Sequence, residues 1–256
     1  MADTQVPKTQ ITLHWLERSR AQRIVWLLRS CKDIDYKLDL YKRGADGLAK
    51  EDLKKAHPLG KSPVITITSP TSTTPVTLAE SGLITEYVSE HYAPQLIPTR
   101  WRDGQEGKAG GETEAYLRWK FYMHYAEGSL MAILLISHIM NQLKDGPAVP
   151  FFVKPLTRAV AGKIESAFLN QNLATQFGFL ESQISTSPDG GSYLCGKELT
   201  SADMLMSFPL MAAKPQLPEA TFPKLRAYIA RLEAEPTFKE SVAEVEKLTG
   251  EPYKIL

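Results

Sequence analysis

Cysteine is scarce in this sequence, and the two that occur are far apart. Cys31 and Cys195 have no C-x-x-C spacing, which argues against a disulfide framework, a zinc site and a dithiol redox motif. This usage fits a reducing compartment. No pair of histidines has a ligand spacing such as H-E-x-x-H, so we assign no metal site.

An excess of charge and a long apolar run are also missing. Thirty basic residues stand against 29 acidic ones, a net charge of +1, so bulk charge gives no attraction to nucleic acid or to an anionic membrane. No apolar run reaches the roughly 18 residues of a membrane span, and no basic and then apolar leader opens the sequence. We therefore expect a cytoplasmic protein with neither a nucleic-acid partner nor a membrane span.

The first part of the sequence alternates between strand and helix patterns. Apolar residues at a period of two predict strands at 11–15, 36–40, 64–68 and 76–78. Apolar residues at helical spacing predict helices that begin at Ser19 and span 48–56 and 81–91. A helical crossover makes a parallel pair and a hairpin makes an antiparallel one. The order βαβ and then ββα therefore predicts a mixed sheet of about four strands.

A stretch rich in Pro, Gly and charged residues divides the chain. We place this linker at residues 98–112, because its glycines break any period, between a first domain at 8–97 and a second at 113–256. Every long segment beyond it has helical periodicity, which predicts an all-α domain with helices at 113–143, 153–186, 201–213, 223–234 and 237–248. Thr200 and Asp203 have the spacing of a capping box at the start of one of them.

Two motifs, in this order, resemble the glutathione transferase family, and the resemblance covers nearly the whole chain. The stronger is HPLGKSPV at 57–64, and the other is LAESG at 78–82, which opens a helix. Residues 15–28 and 125–130 look most like the yeast and fungal branch. The resemblance implies an α+β thioredoxin-like domain followed by an all-α domain, glutathione as co-substrate and a homodimer. The implied reaction joins the glutathione thiolate to hydrophobic electrophiles.

The resemblance also implies which residues bind glutathione: Trp15, Lys61, Ser62, Pro63, Val64, Glu80 and Ser81. Pro63 would be cis, and Val64 would pair with the glutathione backbone as an added strand does. Glu80 and Ser81 would meet the ammonium and the carboxylate of the γ-glutamyl group, and Lys61 the glycyl carboxylate. Without the resemblance, Ser81 is better explained as a helix N-cap and Lys61 as a solvated lysine.

Ser19 is the catalytic candidate, because it lies four residues before Arg23, at the catalytic serine position of theta-like transferases. Its hydroxyl and a helix N-terminus would lower the pKa of the glutathione thiol, which is near 8.5 for free cysteine. A plain helix cap is the alternative role for Ser19. Arg20 could assist the thiolate, and Trp15 could wall the pocket. No cysteine occupies this turn, which disfavours a mixed-disulfide mechanism.

The electrophile pocket is the least well marked part of the sequence. By resemblance we expect it to be bordered by Tyr122, Tyr125, Ser129, Met131 and Phe208, although aromatic and Met residues at helical spacing are more often plain core. Two other functions stay open at this point. One is a non-catalytic carrier or regulatory protein of the same fold, and the other is a glutathione-dependent peroxidase.

Overall fold

The structure is a computed structural model that describes residues 8–255. Its first part holds one four-stranded sheet in the order β2-β1-β3-β4. The strands are β1 (Thr9–Leu16), β2 (Ile34–Tyr41), β3 (Val64–Thr68) and β4 (Val76–Ala79). β1 runs parallel to β2 and antiparallel to β3, and β3 runs antiparallel to β4. The expected four-stranded mixed sheet is confirmed.

Two helices accompany the sheet, and one of them is almost entirely buried. They are α1 (Gln22–Arg29) and α2 (Ser81–Tyr92). In α1 every residue from 22 to 28 is buried, because the helix lies between the sheet and the second domain. Trp26 shows this double packing: its indole N–H donates to the Thr237 hydroxyl at 2.7 Å, and its ring meets Phe238 edge-on at 5.1 Å. The two domains therefore share one core across α1.

The second part is all-helical, as expected. Its helices are α3 (Glu114–Tyr125), α4 (Ala132–Asp145), α5 (Lys154–Ile164), α6 (Asn170–Ser185), α7 (Ser201–Ala213), α8 (Pro223–Ala234) and α9 (Pro236–Thr249). The two longest expected helices each contain a π-helical segment, Ala126–Met131 between α3 and α4 and Glu165–Leu169 between α5 and α6. None of the helices within residues 8–255 is long and apolar enough to cross a membrane.

Two expected helices differ from the observed ones. The first helix begins at Gln22, after a turn, rather than at Ser19. The helix expected over 48–56 is only a short 3-10 helix, Glu51–Lys55, in which Leu53 is the single buried residue. A short segment needs an apolar face packed against a neighbour to stay helical, and one leucine provides too little. The limits of the linker at 98–112 stay a prediction, and residue 256 lies outside the described residues.

A buried carboxylate fixes the start of α7. Asp203 is 0% exposed and accepts from the backbone N–H groups of Leu194 at 2.9 Å and Thr200 at 2.8 Å. The hydroxyls of Thr200 and Tyr228 donate to it at 2.6 and 2.5 Å. Burial raises the pKa of this carboxyl, and these hydrogen bonds oppose the rise. The capping box expected at Thr200 and Asp203 is present.

A glycine of the LAESG motif sets the distance between the domains at α2. A Cβ at Gly82 would lie 2.8 Å from the carbonyl oxygen of Met123 in α3, closer than packed atoms tolerate. Glycine is therefore needed here for a close approach of two backbones. It brings the start of α2 next to the helix that carries the π segment at 126–131.

Candidate active site

Three strand ends meet in one row at the edge of the sheet. His14 of β1 stands opposite Val64, the first residue of β3, and Val64 stands opposite Ala79, the last residue of β4. The chain continues from β1 into the turn that holds Ser19, and from Ala79 into Glu80. Neighbouring strands are about 4.8 Å apart, so the row is about 10 Å wide, close to the length of three extended residues.

The hydroxyl of Ser62 ties the start of β3 to the end of β1. It donates to the His14 carbonyl oxygen at 2.8 Å and accepts from the Leu16 backbone N–H at 3.3 Å. The Ser62–Pro63 peptide bond is cis, as expected from the motif. Because its hydroxyl is engaged with the backbone on both sides, Ser62 fixes where the chain leaves β1 and enters the next turn.

Ser19 lies in that turn and does not cap α1. Its hydroxyl oxygen accepts from the Ala21 backbone N–H at 3.2 Å, whereas α1 begins at Gln22 and has no side-chain cap. The side chain is half-buried. A hydroxyl that accepts in this way still has its proton to donate. The turn therefore presents a hydroxyl donor beside an N-terminus whose first N–H groups lack a side-chain partner.

Arg43 holds the same turn from the other side, and no sequence pattern predicted this contact. Its backbone N–H donates to the Glu17 carboxylate at 2.7 Å, and its side chain donates to the carbonyl oxygens of Glu17 at 3.1 Å and Arg18 at 2.8 Å. Arg18 has a φ of 48°. This backbone conformation costs free energy and persists only where surrounding contacts offset the cost. No pattern of spacing marks such contacts, because they join residues about 25 positions apart in the chain.

The carboxylate of Glu127 joins the turn to the helical domain. It forms an ion pair with Arg20 at 2.6 Å and a second one with Arg23. Arg23 is 1% exposed and also donates to the Leu205 carbonyl oxygen at 2.7 Å. Burial lowers the pKa of Arg23, and the Glu127 carboxylate opposes this. Glu127 itself belongs to the π segment Ala126–Met131. In the sequence, residues 125–130 resembled the yeast and fungal branch of the family, but nothing there predicted the ion pairs of Glu127.

The start of α2 has a strained residue and no side-chain cap. Glu80 adopts φ 73° and ψ 119°, and α2 begins directly after it at Ser81 with no side-chain cap. Ser81 is therefore the first residue of the helix, not its N-cap, which corrects the capping alternative. A non-glycine residue with positive φ persists only where its surroundings require it, and such residues cluster at functional sites. Lys61 is exposed and forms no ion pair within residues 8–255.

The residues expected around the electrophile lie mostly in the core. Tyr122 is 0% exposed and Tyr125 is 7% exposed, and the Tyr125 hydroxyl donates to Gln176. Burial raises the pKa of both phenols. Ser129 is half-buried in the π segment, and Met131 and Phe208 are buried. Of these expected pocket residues, only Ser129 has substantial surface, so their role stays a prediction.

An open cleft of about 360 Å³ lies on the β2 side of the turn. Its apolar walls come from the ends of β1 and β2, from α9 and from the chain that follows α9, and include Trp15, Tyr41, Val245, Leu248 and Tyr253. Charged side chains also line it: Glu17, Arg18, Lys42, Glu251 and Lys254. The indole N–H of Trp15 is buried and has no acceptor within the described residues. The sequence indicated Trp15 but none of the α9 residues.

Neither cysteine belongs to the site. Cys31, at the end of α1, donates to the Leu27 carbonyl oxygen, and burial raises the pKa of its thiol to about 12. Burial also raises the pKa of Cys195. A thiol with a raised pKa stays protonated at neutral pH and is a poor nucleophile. The chemistry of the site therefore has to come from hydroxyl, backbone and guanidinium groups.

Comparison with known proteins finds relatives over both domains. Residues 9–90 match the family model of the glutathione S-transferase N-terminal domain, and residues 147–244 match that of a C-terminal domain. Glutathione S-transferase 1 of Saccharomyces cerevisiae is 34% identical over 90% of this chain and 93% of its own length. The chain belongs to the glutathione S-transferase family. The enzyme class and the fold expected from the sequence are thereby confirmed.

Solved glutathione S-transferase structures share the whole architecture. One from Actinobacillus pleuropneumoniae has 26% identity and a TM-score of 0.63, and the match covers 96% of this chain and 95% of that one. Ure2p5 from Phanerochaete chrysosporium, cocrystallized with 1-(S-glutathionyl)-2,4-dinitrobenzene, has 15% identity and a TM-score of 0.64, with 97% and 100% covered. At that identity, the second comparison concerns the fold alone.

Proposed function

We propose that this glutathione S-transferase binds glutathione along the row His14–Val64–Ala79 and directs its sulfur at the turn that holds Ser19. The observation that carries the proposal is the row itself, about 10 Å from His14 to Ala79, in which the chain leads from β1 into the Ser19 turn, from the cis-proline into β3 and from β4 into α2. An extended tripeptide has that length. Glu80 and Ser81 would take the γ-glutamyl end, and Lys61 the glycyl carboxylate.

The charges of glutathione fit the ends of this row. The unpaired N–H groups at the start of α2 suit the α-carboxylate, and the exposed Glu80 carboxylate suits the ammonium. Val64 does not offer the free strand edge expected from the motif, because it is 0% exposed and stands between His14 and Ala79 in the sheet. The cysteinyl backbone would instead meet the Ser62–Pro63 segment that leads into β3. The Ser19 hydroxyl and the uncapped start of α1 both favour negative charge on sulfur. Lowering the pKa of the thiol by 1 corresponds to about 1.4 kcal/mol of stabilisation of the thiolate relative to the thiol.

In the reaction we propose, the thiol proton leaves to solvent and the thiolate attacks an electrophilic carbon. A carbon–sulfur bond forms, and with a chlorodinitrobenzene the carbon–chlorine bond breaks and chloride leaves with its electron pair. The same thiolate would reduce an organic hydroperoxide: two glutathiones give one disulfide, and the hydroperoxide gives an alcohol and water. The enzyme itself forms no covalent bond with either substrate.

For the electrophile we propose the cleft beside Trp15 as an alternative to the pocket expected near Tyr125 and Ser129. Its volume falls in the usual range for small-molecule sites, and its lining residue Arg18 directly precedes Ser19. Leu248→Trp would fill the cleft, and we expect it to raise the KM for a chlorodinitrobenzene about tenfold with an unchanged KM for glutathione. If Ser129→Trp has that effect and Leu248→Trp does not, the pocket lies near Ser129.

The central test of the function is Ser19→Ala. We expect turnover to fall at least about tenfold, or about 1.4 kcal/mol of barrier, with retention on glutathione resin unchanged. Ser30→Ala is a matched control, because its hydroxyl donates to a helix carbonyl oxygen at the other end of α1. Unchanged turnover in Ser19→Ala would remove the serine from the mechanism, and failure of the wild type to bind the resin would contradict the binding row.

We also propose a homodimer that acts in the cytoplasm. The faces of α2 and α3 expose Leu83, Leu117 and Phe121, which are 50%, 52% and 44% accessible. Side chains of this kind, grouped on adjacent helices, are typical of an interface. Leu117→Glu should shift the mass in analytical ultracentrifugation from a dimer to a monomer. A wild type that sediments as a monomer would contradict the proposal.

A further inference from the structure

The turn before α1 is held by one acidic residue of the other domain, whose two carboxylate oxygens pair with different arginines. The Glu127 carboxylate pairs with Arg20 through Oε2 and with Arg23 through Oε1. Arg20 directly follows Ser19 in the turn, whereas Arg23 is buried in the first turn of α1. One carboxylate thus fixes the residue next to the candidate hydroxyl and the helix behind it at the same time.

Arg20 keeps part of its guanidinium free for a ligand. A guanidinium has five N–H donors in a rigid fork. Within residues 8–255 the only ion pair of Arg20 is the one from Nη1 to Glu127, and its side chain is 36% exposed. Arg23 differs, since it is 1% exposed and bonded to Glu127 and to the Leu205 carbonyl oxygen. Arg20 is the more exposed arginine of this cluster and the one that adjoins Ser19 in the chain.

We propose that Glu127 is a positioning residue that aims the free N–H groups of Arg20 at the glutathione sulfur. The inference rests on the proposed function of the Ser19 turn. Without the carboxylate, the long Arg20 side chain would extend into solvent, where its charge is screened. With it, the cluster of two arginines and one glutamate keeps a net positive charge beside the thiolate. The other groups that face this cluster are Tyr253, which lies near Arg23, and the Phe208 ring, 5.8 Å from the Arg23 guanidinium.

Glu127 is the second residue of the π segment Ala126–Met131. A π turn inserts one extra residue into a helix and shifts the side chains that follow, and such segments are frequent at functional sites. The chain contains an internal control. Glu165 begins the second π segment and pairs with Lys144 at 2.6 Å, and its exposure of 21% is close to the 22% of Glu127. Glu165 makes no contact with the Ser19 turn.

The experiment measures the pKa of bound glutathione from the ultraviolet absorbance of its thiolate. Arg20→Gln and Glu127→Gln should each raise this pKa by about 1 and lower kcat/KM for a chlorodinitrobenzene up to about tenfold at a pH below the wild-type pKa. The double variant should add little to either single change, because both remove the same contact. Glu165→Gln should leave the pKa of the bound thiol unchanged.

Several outcomes would overturn the inference. If Glu127→Gln lowers the pKa of the bound thiol, the carboxylate merely screens Arg20. If the two changes add, they act independently. Glu127→Gln could fail to fold, because Arg23 loses its partner. In that case Glu127→Asp replaces it: this change keeps the charge but shortens the side chain by one methylene, and it should still raise the pKa of the bound thiol. Ser19→Ala in the same series separates the claims: a pKa that responds to Ser19 but not to Glu127 contradicts this inference alone.

Discussion

The start of α7 and the starts of α1 and α2 look alike in the sequence but differ in the structure. Each has a serine or threonine where a helix N-cap is expected: Thr200, Ser19 and Ser81. Of the three, Thr200 belongs to a capping box, in a buried network with Asp203 in which each oxygen of that carboxylate has donors. The other two helices begin without a side-chain cap. The start of α7, here called the closed end, stabilises the fold, and the starts of α1 and α2 are available to a ligand.

This difference has a simple physical origin. The first N–H groups of a helix need acceptors, and a buried end has to find them within the protein. The start of α7 is buried, so its partners are built in. The starts of α1 and α2 are also buried, with Gln22 and Ser81 2% and 4% exposed, but no side chain caps them, which leaves their first N–H groups for an anion.

The largest effect is expected at the closed end. Asp203→Ala would remove the acceptor of several buried donors at once, and we expect the free energy of unfolding to fall by at least about 3 kcal/mol. Urea denaturation followed by circular dichroism measures it. Asp103→Ala, at an exposed position in the linker, is the control and should change little. A fall below about 1 kcal/mol for Asp203→Ala would mean that the network is dispensable.

A pair of matched hydroxyl deletions tests the comparison directly. Ser81→Ala should weaken glutathione binding about tenfold, or about 1.4 kcal/mol, and change the free energy of unfolding by less than about 0.5 kcal/mol. Thr200→Ala should show the reverse, a loss of about 1 kcal/mol of stability with unchanged affinity. Calorimetric titration and urea denaturation give both quantities. Equal losses of stability in the two variants would make Ser81 a cap after all.

The smallest effect is expected at Cys31. Burial raises the pKa of its thiol to about 12, so the thiol stays protonated at neutral pH and becomes reactive only as the pH rises toward that value. Alkylation of the folded protein should be at least about a hundredfold slower than in denaturant, and Cys31→Ser should keep full activity. Rapid alkylation with loss of activity would bring a protein thiol back into the mechanism.

The sequence was sufficient to predict how the chain enters β3. The positions of Ser62, Pro63 and Val64 followed from one contiguous motif, since a motif of neighbouring residues keeps its geometry wherever the strand lies. The cis bond at Pro63 agrees with that expectation. The helix expected at 48–56 is the opposite case, because its pattern of charged residues and alanine lacked the apolar face that tertiary packing requires.

What the sequence alone determined is the order of the elements, the all-helical second domain, the capping box and the family, because periodicity and contiguous motifs are local properties of the chain. Only the tertiary structure decided which helix ends are capped, that Glu127 reaches Arg20 and Arg23, that Arg43 holds the turn and that α9 lines the cleft beside Trp15. Those contacts join residues far apart in the chain, and their existence depends on how the two domains pack against α1. A local sequence pattern does not predict that packing, because the packing is set by the shape of the shared core.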